Sequence, residues 1–183
     1  MRKVIAVAAL VMIIAAAGLA AVHGALAKDS GSAGADWGPL AFLVGDWSGD
    51  EGGAMGQGTS TISFRPELGG ALLVRHHRLD YPPTRKHTGT VEQDLLVIQR
   101  DSGGGPARAV MFDTAHNETR FSVDISADGK TITLTSDAQA SVPRHRMVWV
   151  RSADREITFT HLMASPTSPD EFMPETAGKV RRK

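Results

Sequence analysis

Residues 43–53 read LVGDWSGDEGG, a tryptophan between two glycine-flanked acids with four glycines in the stretch. Three readings compete for it. A phosphate cradle needs Gly-Lys-Ser/Thr and a helix opening directly after the glycines, so that backbone N–H groups converge on the anion. Residues 54–61 read AMGQGTST and supply neither. A calcium loop needs oxygen ligands at alternating positions, a spacing that Asp46, Asp50 and Glu51 lack. The third reading is architecture. Gly45 and Gly49 let a strand bend where side chains would collide, and Trp47 is large enough to plug the end of a closed sheet.

The chain around this stretch supports the third reading. Asp36 is placed to cap a short helix running to residue 43, with Pro39 tolerated in its first turn. Beyond Trp47 the apolar period becomes two. Residues 59–64, 72–79, 95–99, 121–125, 131–135, 147–150, 157–163 and 172–180 read as strands, and Asp128-Gly129 centres a hairpin turn. The turns are too short for parallel crossovers, so the sheet is expected to be an antiparallel meander. A meander of about ten strands closes to remove its edges. The expectation is all-β: one up-and-down antiparallel barrel over residues 36–183, preceded by a short helix.

Residues 1–27 have the form of a signal peptide. Arg2 and Lys3 precede an apolar run, and Ala25-Leu26-Ala27 offers small residues at the cleavage positions. Cleavage after Ala27 would leave a small, polar leader at 28–35. The competing reading is an uncleaved anchor, which Gly18, His23 and Gly24 weaken. An exported protein, periplasmic or extracellular and without a stable membrane anchor after cleavage, is therefore expected. The 20 Lys+Arg balance 20 Asp+Glu, which gives no general pull on nucleic acid. There is no cysteine, which excludes disulfides, thiolate metal sites and a cysteine nucleophile.

"GDWSGDEG", "FRPELGGALLVRHH" and "ISADGKT" resemble the calycin barrels, the lipocalins, fatty-acid-binding proteins and haem-binding nitrobindins. They look most like secreted bacterial barrel proteins related to the last group. The resemblance covers residues 36–183 and rests on turn and packing signals. It implies a small molecule in the lumen and a basic residue of the last strand, Arg181 or Arg182, lying over Trp47. With Gly45, Trp47 and Gly49, these arginines form the expected barrel floor. Nitrobindin-like barrels would hold haem through a histidine near the end of the last strand. Here residues 175–183 read ETAGKVRRK, Gly178 stands near that position, and His161 is the substitute on offer.

No catalytic residues are expected: no serine lies in Gly-x-Ser-x-Gly. No metal is expected either, because His76, His77, His87, His116, His145 and His161 include no i, i+2 pair on one strand face. A zinc site would need residues from separate strands. Strand 72–79 alternates so that one face carries His76 and Arg78, the other Arg75 and His77. His161 shares a face with Ile157, Phe159 and Met163, so it needs an acid, a strand carbonyl or a ligand as partner. The candidate ligand-binding residues are Arg75, His76, Arg146, Phe159 and His161, whose cations would fix a carboxylate head. The expected function is non-catalytic binding of a small apolar or amphiphilic molecule. Two alternatives stand beside it: a haem protein, isomerase or lyase on the same scaffold, and an envelope interaction module with a packed interior.

Overall fold

A computed structural model of the chain describes residues 36–183, apart from 86, 87 and 102. The expected signal peptide and leader lie outside the described residues. Ten strands follow one short 3-10 helix, Gly38–Leu43: β1 (Gly45–Gly53), β2 (Gly56–Glu67), β3 (Leu72–Tyr81), β4 (Thr90–Gln99), β5 (Arg108–Asp113), β6 (Glu118–Ile125), β7 (Thr131–Ser136), β8 (Arg144–Ala153), β9 (Glu156–Ala164) and β10 (Met173–Arg182). Each strand pairs antiparallel with the next, and β1 pairs with β10 to close the barrel. The all-β, up-and-down expectation therefore holds. The expected helix is a 3-10 turn, in which Asp36 Oδ1 accepts from the Gly38 N–H at 2.8 Å.

β5 is the strand that period-two reading misses. Its sequence RAVMFD is apolar on both faces: Ala109 and Met111 turn inward, while Val110 and Phe112 turn outward. No alternation remains to be seen.

The 3-10 helix seals one end. Leu40, Leu43 and Trp37 pack with Trp47, whose indole Nε1–H donates to the Leu43 carbonyl at 2.7 Å. The guanidinium of Arg182 lies 4.7 Å from the Trp47 ring and donates to the Phe42 carbonyl at 2.8 Å. Arg181, the other candidate for this role, points outward and pairs with Glu156 at 3.1 Å. Strand alternation permits only one of two neighbours to face in. Gly45 has φ +134°, a conformation that side chains avoid, and a Cβ at Gly49 would lie 2.0 Å from the Lys179 carbonyl oxygen. The opening stretch is thus a sealed floor.

Above this floor the interior is apolar through Ile62, Phe64, Leu73, Ile98, Ile132, Leu134, Trp149 and Ile157. Connections alternate between the two ends, so the β1–β2, β3–β4, β5–β6, β7–β8 and β9–β10 turns surround the opposite end, the mouth.

Candidate functional site

Polar residues enter the interior toward the mouth, on the inward faces of the strands that carry the apolar core below. On β3 the inward set is Leu73, Arg75, His77, Leu79 and Tyr81. The register sets His77 opposite Asp94 of β4 and Ile62 of β2. These positions assemble a chain of charges. Arg75 Nη2 donates to Asp94 Oδ1, and Asp94 Oδ2 lies 2.9 Å from His77 Nδ1. His77 Nε2 in turn lies 3.1 Å from Glu51 Oε2 and 3.0 Å from Ser60 Oγ. Thr176 donates to the other Glu51 oxygen at 2.9 Å. Only an imidazolium donates from both ring nitrogens, so two carboxylate partners hold His77 charged.

Burial works against each of these charges, but their mutual contacts outweigh it. It opposes the Asp94 carboxylate, yet Arg75 and His77 hold its pKa down at about 2. It likewise opposes the charged His77, which its hydrogen bonds to Asp94 and Glu51 keep above the usual histidine value. Glu51 is lowered despite its burial by the hydrogen bond and charge of His77, with Thr176 and Ser60 adding to it. Arg75 lies 5.4 Å from the Trp149 ring, between the Met111 and Met147 sulfurs, and its buried Nε has no hydrogen-bond partner.

A second group stands across the mouth. His145 Nδ1 lies 3.2 Å from His161 Nε2, with the rings stacked, and His161 Nδ1 lies 3.4 Å from Glu175 Oε2. The partner that His161 required is thus a histidine and an acid. Burial and the positive neighbours His145 and Arg75 lower its pKa, against the pull of Glu175. Glu175 reaches inward because the β9–β10 register shifts between Pro174 and Thr176. The bulge lets both Glu175 and Thr176 address the interior, where strict alternation would send one out. At the rim, burial with Glu92, Glu51 and Glu175 pushes Tyr81 up to about 12. Glu92 is raised by burial and by the charges of Glu51 and Glu175.

Exposure toward the mouth differs between its two sides. On β3, Leu79 is 1% exposed and Tyr81 4%. Along the inward face of β9 exposure climbs, from 3% at Ile157 through 8% at Phe159 to 38% at Met163. Exposure thus rises toward the mouth on the β9 side and stays low on the β3 side.

Of the five candidate ligand-binding residues, Arg75, Phe159 and His161 face the interior. His76 and Arg146 do not, which corrects their expected placement. His76 is exposed on the outer wall, in a groove of about 460 Å³ beside Arg78, Leu95 and Phe112. Arg146 lies outside β8, with its guanidinium 3.8 Å from the Phe172 ring. Each is the immediate neighbour of an inward residue, Arg75 and Met147, and alternation excludes both members of such a pair from one face. Glu51, His77, Asp94 and His145 are inward residues that sequence reasoning left out, as is Glu175 at the exposed rim. For His77 and His145 the signal was present in their alternation with Leu73, Leu79 and Met147.

Neither a protein-family model nor a curated protein sequence matches the chain. Solved structures do. The crystal structure of Rv2717c from M. tuberculosis aligns at a TM-score of 0.54 and 12% identity, over 79% of this chain and 94% of that one. The S-type phycobiliprotein lyase CPES from Guillardia theta aligns at 0.51 and 8% identity, over 79% and 90%. At these identities the likeness is one of fold alone, a closed antiparallel β-barrel.

Proposed function

We propose that this barrel is an exported, non-catalytic binder of a small amphiphilic molecule, taken up at the β9 side of the mouth. The apolar part would rest on Phe159, Met147 and Met111, and the polar head would meet the rim. The observation that carries the reading is the inward face of β9, buried at Ile157 and Phe159 and reaching solvent through His161 and Met163. The head group departs from the carboxylate expected from the sequence. Arg75 is already engaged by Asp94, and the mouth sets Glu51, Glu92, Asp94 and Glu175 against Arg75 and His77. An ammonium or another donor-rich head suits that balance better than an anion.

The test is displacement of Nile red from the protein, in the presence of a chelator, by decylamine and by decanoate. Decylamine should compete at least about tenfold more strongly, a difference of about 1.4 kcal/mol. Glu175→Gln should shrink that preference. Failure to take up Nile red would overturn the binding reading, and preference for decanoate would overturn the head-group assignment.

A lyase or isomerase is the second reading. One fold neighbour is named as a phycobiliprotein lyase, and a histidine held neutral beside an acid, as His161 is beside Glu175, is the form a general base takes. His77 does not suit that role, because both its nitrogens are engaged. Haem does not fit the residues present. Gly178, near the ligand position that the resemblance implies, lies under Phe159, where a Cβ would meet the ring at 2.5 Å. His161, the substitute, stands opposite Thr176, two residues from Gly178, in the cluster it forms with His145 and Glu175.

Export is part of the proposal. N-terminal sequencing of the protein from its source should begin at Lys28. A start at Met1 in the membrane fraction would replace cleavage by anchoring.

A further inference from the structure

The charges around His77 are paired with one another, the outer groove has no feature that names an occupant, and the floor is sealed. The cluster that remains is His145, His161 and Glu175. One ligand atom from each lies within 4.8 Å of those from the other two.

We propose that His145, His161 and Glu175 bind a divalent transition-metal ion at the mouth of the barrel, with its remaining coordination positions open to the lumen. The 3.2 Å between His145 Nδ1 and His161 Nε2 is a hydrogen-bond distance that also matches a coordination edge. Two imidazole nitrogens about 2.0–2.1 Å from a tetrahedral zinc stand about 3.3 Å apart. Two imidazoles and one carboxylate form a donor set for zinc, cobalt, nickel or iron, whereas calcium and magnesium take oxygen ligands. The three ligands come from three adjacent strands of a closed sheet, so the fold holds them together before any ion arrives. His145 and His161 are diagonal neighbours, since the register sets Met147 opposite His161 and Met163 opposite His145. The bulge in β10 supplies the carboxylate. Glu51, the other carboxylate that acts on His161, adds to the negative field that a cation would meet. The partial exposure of His161 and Glu175, with side chains 26% and 41% accessible, gives an ion a way in and leaves room for water or a ligand. The site shares Glu175 with the ligand proposal, and a chelator in that test and the absence of organic ligand in this one keep their failures distinguishable.

The test uses the full protein stripped with chelator and then titrated with cobalt(II) alone, with no organic ligand present. A visible d–d band should grow to one equivalent, and zinc should abolish it. Glu175→Gln, at a partly exposed position, should weaken binding at least about tenfold. His145→Gln should weaken it further, and His76→Gln on the outer wall should bind as wild type does. If a histidine variant fails to fold, NMR of the wild-type protein decides. Cobalt should broaden the His145 and His161 ring signals well before those of His76 and His116. Absence of a band, equal binding by Glu175→Gln, or broadening that begins at His76 or His116 would overturn the site.

Discussion

Asp94→Asn is expected to lower the unfolding free energy by about 3–5 kcal/mol, the loss that follows when one member of a buried ion pair is removed. The guanidinium of Arg75 would be left buried with its Nε already unpaired, and His77 would lose one of its two acceptors. The magnitude separates this contact from an ordinary surface pair. Arg65–Asp46 is bonded at 2.6 Å, yet both side chains are about half exposed, so Asp46→Asn should cost under about 1 kcal/mol. Urea denaturation of the two variants checks the contrast. Replacing the pair together, as Arg75→Met with Asp94→Leu, should recover much of the loss, because no lone charge then remains inside.

The same contact sets the response to acid. The folded-state pKa of Asp94 is depressed from 3.8 to about 2, so its contribution is present above the unfolded value and is lost as pH falls toward 2. At about 1.36 kcal/mol per unit this amounts to about 2 kcal/mol. His77 has the opposite sign. Its folded pKa is raised, so its contribution is complete below the ordinary histidine value and fades as pH climbs through the folded one. Stability should therefore be greatest at weakly acidic pH, and Asp94→Asn should flatten the acid limb.

Trp47→Ala should cost about 3–5 kcal/mol by emptying the floor. The ring is 2% exposed, donates to Leu43 and carries Arg182, so its removal unseats helix, strand and cation together. Asp50→Ala, outside the core, should stay within about 0.5 kcal/mol. Thermal unfolding of the pair would contradict the sealed-floor account if both lost the same stability.

How much of this was legible in the sequence follows from how each feature is written there. Strand period, the Asp128-Gly129 turn and short connections point to the barrel, because closure removes the edges of so many short antiparallel strands. Trp47 was readable from the glycines around it, whereas an arginine over it, Arg181 or Arg182, came only from what the resemblance to calycin barrels implies. The interior polar residues divide in two. His77 and His145 follow from alternation once an apolar face is chosen: Leu73 and Leu79 decide the matter for β3, and Met147 with Trp149 for β8. That rule also excludes His76 and Arg146. Glu175 was not legible, since a bulge breaks the period and only the paired register of β9 and β10 reveals it. Nor was the meeting of His145 with His161, which lie far apart in the chain and become neighbours through strand pairing. Charge balance at the mouth, and with it the departure from a carboxylate head, likewise depends on which acids turn inward.

The most direct test of the central claim is native mass spectrometry of the protein purified from its own source and transferred to volatile buffer without detergent. The account predicts a chain beginning at Lys28 that carries one additional small-molecule mass, released on acidification and lost when Phe159 and Glu175 are replaced together. A wild-type spectrum showing only the bare chain, with no mass gained on incubation with decylamine, would contradict it.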